Sequence, residues 1–124
     1  MRLLACAMVS LLATACSMPS VRGITAAPPL LVFEWPKDPQ AGVQCIVEEL
    51  RALGWRSVVE DLGNRTQVVW NGPSLFGIPR PVAVFDVIPA SAASPSRIEM
   101  RVEGDPSEPD RIRQSWREKL ASCR

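Results

Sequence analysis

The chain contains no histidine and no tyrosine among its 124 residues. The first absence removes the commonest general base, and with it every Ser–His and Cys–His nucleophile arrangement. It also leaves any metal site to cysteine and carboxylate alone, a poor ligand set, so no metal is assigned. An excess of one charge is lacking as well: 14 Lys and Arg stand against 13 Asp and Glu, for a formal net charge of +1. No strong field exists for nucleic acid to follow, and nucleic acid is not expected as a partner. There is no Gly-rich phosphate loop, so no cofactor is assigned. Long apolar runs are missing too. The apolar stretch over residues 3–15, "LLACAMVSLLATA", holds only 13 residues. As a helix it would reach about 20 Å, short of the ~30 Å hydrocarbon core of a bilayer.

What is present begins with that stretch. A short positive start at Met1 and Arg2, an uncharged apolar run and small residues at 13–15 fit a secretory signal peptide. A buried N-terminal helix is the competing reading. Two cuts give different proteins. Ala13-Thr14-Ala15 satisfies the A-x-A pattern of ordinary secretion, which would release a soluble periplasmic or secreted chain. The residue after that cut is Cys16, and Leu12-Ala13-Thr14-Ala15-Cys16 resembles the lipobox of bacterial lipoproteins. The resemblance covers the signal alone, and it departs from the favoured pattern by having Ala13 where Leu is preferred. It implies cleavage between Ala15 and Cys16, acylation of the Cys16 thiol and usually of the new amine, and attachment to a membrane. Two or more acyl chains bind durably, since each buried CH₂ contributes about 0.8 kcal/mol. Ser17 stands where Asp would signal inner-membrane retention in enteric-type lipoproteins, so the resemblance implies the outer membrane, facing the periplasm. Removal of residues 1–15 takes Arg2 with it and leaves 13 basic against 13 acidic residues.

The cysteines carry a second signal. Cys6 leaves with the signal and Cys16 is consumed by lipid, so Cys45 and Cys123 remain as an even pair in an oxidising compartment. A Cys45–Cys123 disulfide closes a loop of nearly eighty residues and stabilises the fold by about 4 kcal/mol in the chain-entropy model. Two buried free thiols are the alternative.

Residues 17–29, "SMPSVRGITAAPP", lack periodicity and read, with Cys16, as a flexible tether over residues 16–29. The domain is then expected over residues 30–124. A compact apolar run at 30–35, closed by Pro36, predicts a first strand. Asp38-Pro39 gives an N-cap with Pro at the first helical position, and Val43, Ile46, Val47 and Leu50 follow at helical spacing up to Gly54. "RSVVEDL" and "RTQVVW" flank Gly63-Asn64, a two-residue hairpin signal that pairs Leu62 with Arg65, Val59 with Val68 and Ser57 with Trp70. "PVAVFDVI" reads as a central strand, and "RIEMRVE" alternates as a strand with one wet face. A final helix is expected near Ser107, with a Ser107–Asp110 capping box and a stripe of Ile112, Trp116, Leu120 and Cys123. Helical spacing turns Cys45 away from the Val43–Leu50 face, beside Ala41 and Ala52. The disulfide therefore requires the last helix to lie along that flank. The order β-α-β-β-β-β-α predicts an α+β, two-layer sandwich: a mostly antiparallel sheet of about five strands with two helices on one face.

No catalytic residue is assigned. Glu60 and Asp61 are neighbours that point to opposite faces of a strand, and Glu34 lies apart from them. Asp86 is the one carboxylate inside an apolar strand, expected to find an arginine partner. The four tryptophans read as core rather than as a sugar platform. The connection over residues 71–81, "NGPSLFGIPRP", carries Leu75, Phe76 and Ile78. It is either a partner-binding loop or a segment folded back as a plug over the end of the sheet. These features predict a lipid-anchored cell-envelope protein with a small non-catalytic binding domain and an envelope protein partner. The alternative is a periplasmic inhibitor or immunity protein acting against an enzyme that attacks the cell wall or membrane.

Overall fold

The computed structural model describes residues 20–75 and 78–123. Ala15, Cys16 and the signal segment lie outside the described residues, as does Phe76. The elements in chain order are α1 (Val21–Ala26), β1 (Leu31–Glu34), α2 (Pro39–Ala52), β2 (Arg56–Asp61), β3 (Thr66–Leu75), β4 (Ile78–Ile88), β5 (Arg97–Val102) and α3 (Pro109–Ser122). The five strands form one sheet in the order β1-β5-β4-β3-β2, antiparallel throughout. The expected α+β sandwich is present, with α2 and α3 on one face. Among the described residues no helix is long and apolar enough to cross a membrane.

Local signals explain most elements. Asp38 caps α2 by accepting the Gln40 amide at 3.2 Å, and Pro39 opens the helix. Gly54, at φ +79°, ends it in the left-handed conformation that only glycine adopts without strain. The β2–β3 hairpin has the register its turn predicts: Val59 opposes Val68, Ser57 opposes Trp70, and the Leu62 amide donates to the Arg65 carbonyl at 2.9 Å. Alternation along β3, β4 and β5 sends Val68, Phe85, Val87, Ile98 and Met100 to the helix side. There they meet Val43, Ile46, Leu50, Trp116 and Leu120 in one buried cluster.

Three expectations need correction. First, the stretch expected as a tether contains α1. Ser20 caps it by accepting the Gly23 amide at 3.1 Å, and Ile24 is buried against Val69 and Val84 on the sheet face opposite α2 and α3. A six-residue helix is marginal by itself; burial of Ile24, with Val21 packed beside it, holds this one, and two apolar positions are too few to show a period in the sequence. Second, α3 starts at Pro109 after Glu108, and no side chain caps it. Proline disfavours helical geometry in the residue before it, so Ser107 stands too early to cap and Asp110 pairs with Arg113 instead, at 2.6 Å. Third, the connection over residues 71–81 is neither an open loop nor a folded-back plug. β3 and β4 run on to Leu75 and Ile78, whose backbones pair, with register shifts at Trp70/Asn71 and Gly72/Leu75. β2 pairs with β3 only as far as Asn71 and β5 with β4 only from Ala83, so the tip is a two-stranded arm.

Cys45 and Cys123 form a disulfide with a Cα–Cα distance of 5.9 Å. The last helix does lie along the Ala41 flank of α2: Ala41 and Cys123 both pack against the main core, and Cys45 is buried.

Candidate functional site

A groove opens on the helix side of the sheet, between α3 and the strands β3, β4 and β5. The reversal at Gly54 places Trp55, whose amide donates to the Leu50 carbonyl at 3.2 Å, at one wall. β3 supplies Trp70 and α3 supplies Ile112, Ser115, Trp116 and Lys119. Ala83, Met100 and Val102 contribute from the sheet, and Glu103, Pro106 and Glu108 from the turn between β5 and α3. The cavity measures about 700 Å³ and its walls are mainly apolar.

Its aromatic wall is continuous. Trp55 and Trp70 meet edge to face with centroids 5.7 Å apart, Trp70 and Trp116 likewise at 6.5 Å, and Trp116 leans on Phe85 at 4.7 Å. Trp116 is 4% exposed and belongs to the core, whereas Trp55 is 36% exposed. The indole Nε1 of Trp70 is buried with no hydrogen-bond partner among the described residues. Charges sit at the rim. Arg111 pairs with Glu108 at 3.2 Å, and Glu103 with Arg80 at 3.4 Å. Lys119 Nζ lies 5.8 Å from the Trp116 ring centroid and donates to Ser115 Oγ at 2.8 Å. An apolar interior with few polar groups at its mouth suits an apolar side chain or acyl group, held by burial and oriented by the rim.

The residues singled out from sequence are distributed elsewhere. Leu75 and Ile78 lie at the described end of the arm, where their backbones pair. Asp86 is 2% exposed on the opposite sheet face. It accepts hydrogen bonds from Arg101 Nη1 at 3.2 Å and Gln67 Nε2 at 3.3 Å, and pairs with Arg65 Nε at 3.4 Å. The expected arginine partner is therefore doubled. Arg101 and Arg97 also pair with Glu99, which stands directly opposite Asp86 in β5. Glu60 and Asp61 are exposed and on opposite faces. Among the described residues no group of three Cys, Asp or Glu is arranged to hold a metal ion.

The groove itself escapes the sequence reading. Trp70 and Trp116 are recognisable as inward-facing, but Trp55 lies between elements and carries no periodic signal. The opening is lined by residues from α3, three strands and two connections far apart in sequence, so it is a tertiary property. No protein-family model, no curated protein and no solved structure matches this chain.

Proposed function

We propose that this chain is a lipid-anchored protein of the cell envelope whose small domain binds another envelope component without catalysing a reaction. The single observation that carries the binding role is the groove walled by Trp55, Trp70 and Trp116, with Trp55 exposed and available to a ligand. The anchor rests on Leu12-Ala13-Thr14-Ala15-Cys16, with acylation of Cys16 after cleavage at Ala15. Ser17 favours the outer membrane, facing the periplasm. A Cys45–Cys123 disulfide accords with that oxidising compartment.

The test uses the full chain in cells. A photo-activatable residue replaces Arg111, exposed at the groove rim, and should give one discrete adduct that disappears when Trp55→Ala is added. Adduct formation indifferent to Trp55, or none at all, would count against the groove as the binding site. Cys16→Ser should abolish lipid labelling and move the chain from membrane to soluble fractions; retention on the membrane would refute the anchor.

The two-stranded arm favours a second reading, an inhibitor or immunity protein that inserts the tip carrying Leu75, Phe76 and Ile78 into an enzyme. Under that reading, Leu75→Ser with Phe76→Ser removes the partner while Trp55→Ala leaves it bound.

A further inference from the structure

The two edges of the sheet are built differently. β1 is four residues long, with Pro28-Pro29 before it and Pro36 after it, a combination that blunts an edge against further pairing. β2 is six residues long, contains no proline, and exposes Val58 at 55% and Val59 at 49%, with Leu62 beyond its end at 40%. The hydrogen bond from the Leu62 amide to the Arg65 carbonyl sets the phase of the β2–β3 ladder. Hydrogen-bonded pairs recur at every second residue, so Glu60, Val58 and Arg56 point their backbone groups toward β3. The amides and carbonyls of Ser57, Val59 and Asp61 point outward, and β2 is the last strand of the sheet.

We propose that this edge pairs with β2 of a second copy of the chain, antiparallel about a two-fold axis at Val58, to give a continuous ten-stranded sheet. The side chains select that register. Residues directly opposite across an antiparallel pair share a face, and a two-fold axis normal to the sheet keeps faces matched, so residue numbers in each pair must sum to an even number. Centring on Val58 pairs Ser57 with Val59, which places the outward backbone groups of each opposite the other. On the face that carries α1, Arg56 then stands opposite the second copy's Glu60, and Glu60 opposite its Arg56. Two exposed charges of opposite sign are thereby matched twice. Between them, Val84, Val69 and Val58 form one apolar row across β4, β3 and β2. That row, which starts beneath Ile24, continues through Val58 into its symmetry mate. Charge complementarity and the apolar row thus choose the same axis.

The experiment uses the full chain in its native membrane. In the proposed register the two Val58 residues form a non-hydrogen-bonded pair with Cα atoms about 4.5 Å apart, within disulfide range. Val58→Cys should give a covalent dimer under mild oxidation, at least tenfold more than Val59→Cys, whose counterpart is a diagonal neighbour two residues along the second strand rather than directly opposite. Adding Arg56→Glu or Glu60→Arg to Val58→Cys should cut the dimer about tenfold, and adding both should restore it. All these side chains are exposed, and thermal melting of each variant checks that the fold persists. The pairing is overturned if Val58→Cys stays monomeric or crosslinks no better than Val59→Cys. It is equally overturned if the charge reversals have no effect, or if Val58→Cys joins a different polypeptide in place of itself.

Discussion

Arg101 grips the Asp86 carboxylate through Nη1 at 3.2 Å while its Nε donates to the Ala27 carbonyl at 2.8 Å. One guanidinium thereby joins a buried acid in the central strand to the end of α1. The planar fork of arginine makes two such bonds at a fixed angle, which the single ammonium of lysine does not. Arg101→Ala strips the main partner from a carboxylate 2% exposed and is expected to destabilise the fold by about 2–4 kcal/mol. It should also release α1. Urea unfolding reads the first effect, and trypsin cleavage after Arg22 reads the second. Arg101→Lys should recover part of the stability and little of the protection. Unchanged cleavage in Arg101→Ala would show that the apolar contacts of Val21 and Ile24 suffice to hold α1.

Gly42 occupies a buried position in α2 where an added methyl group would press on its neighbours. A Cβ there would lie 3.2 Å from Trp35 Nε1 and 3.4 Å from Val87 Cγ1. Trp35 is 1% exposed and its Nε1 donates to the Asp38 carbonyl at 3.0 Å, so the ring is pinned. Helix propensity alone would favour alanine by about 1 kcal/mol. Overpacking against a fixed ring outweighs it, and Gly42→Ala is expected to lower stability by about 1–2 kcal/mol net. A raised urea midpoint would show that the ring gives way.

The parts legible in the sequence are those specified locally. Asp38-Pro39 sets the start of α2, Gly63-Asn64 fixes the whole β2–β3 register, and alternation in β5 orients its faces. The Cys45–Cys123 pairing needed two local facts combined: Cys123 on the inner stripe of α3, and Cys45 on the Ala41 flank of α2. What stayed hidden depends on distant partners. α1 exists because Ile24 meets Val69 and Val84, more than forty residues away in sequence. The arm forms because β3 and β4 stay paired as far as Leu75 and Ile78, with no Asn-Gly-type signal in the sequence between them. Trp55 becomes a groove wall only because Gly54 turns it toward Trp70.

The disulfide links residues 78 apart in sequence and ties the C-terminal end of α3 to the middle of α2. Loop closure of that length is worth about 4 kcal/mol in the chain-entropy model. A shift of about 4–8 °C per kcal/mol is usual for domains of this size. Cys45→Ala with Cys123→Ala is therefore expected to lower Tm by roughly 15–30 °C. Reductant on the wild-type chain should reproduce most of the loss, and alkylation of the denatured, unreduced protein should leave both sulfurs unmodified. A Tm insensitive to reductant would show that helix packing alone holds α3 in place.

The tryptophans of the groove should separate stability from binding. Trp116 is buried against Phe85 and Trp70, so Trp116→Ala is expected to cost about 3–5 kcal/mol and to impair folding before binding is measured. Trp55, 36% exposed, touches Trp70 by its edge and supports little of the core. Trp55→Ala should therefore change the unfolding free energy, read from urea unfolding, by less than about 1 kcal/mol while abolishing the adduct formed from position 111. Trp55→Phe keeps an aromatic face at the same wall and should retain part of the adduct. Equal losses of stability and adduct in Trp55→Ala would mean that this ring supports the fold rather than receiving a ligand.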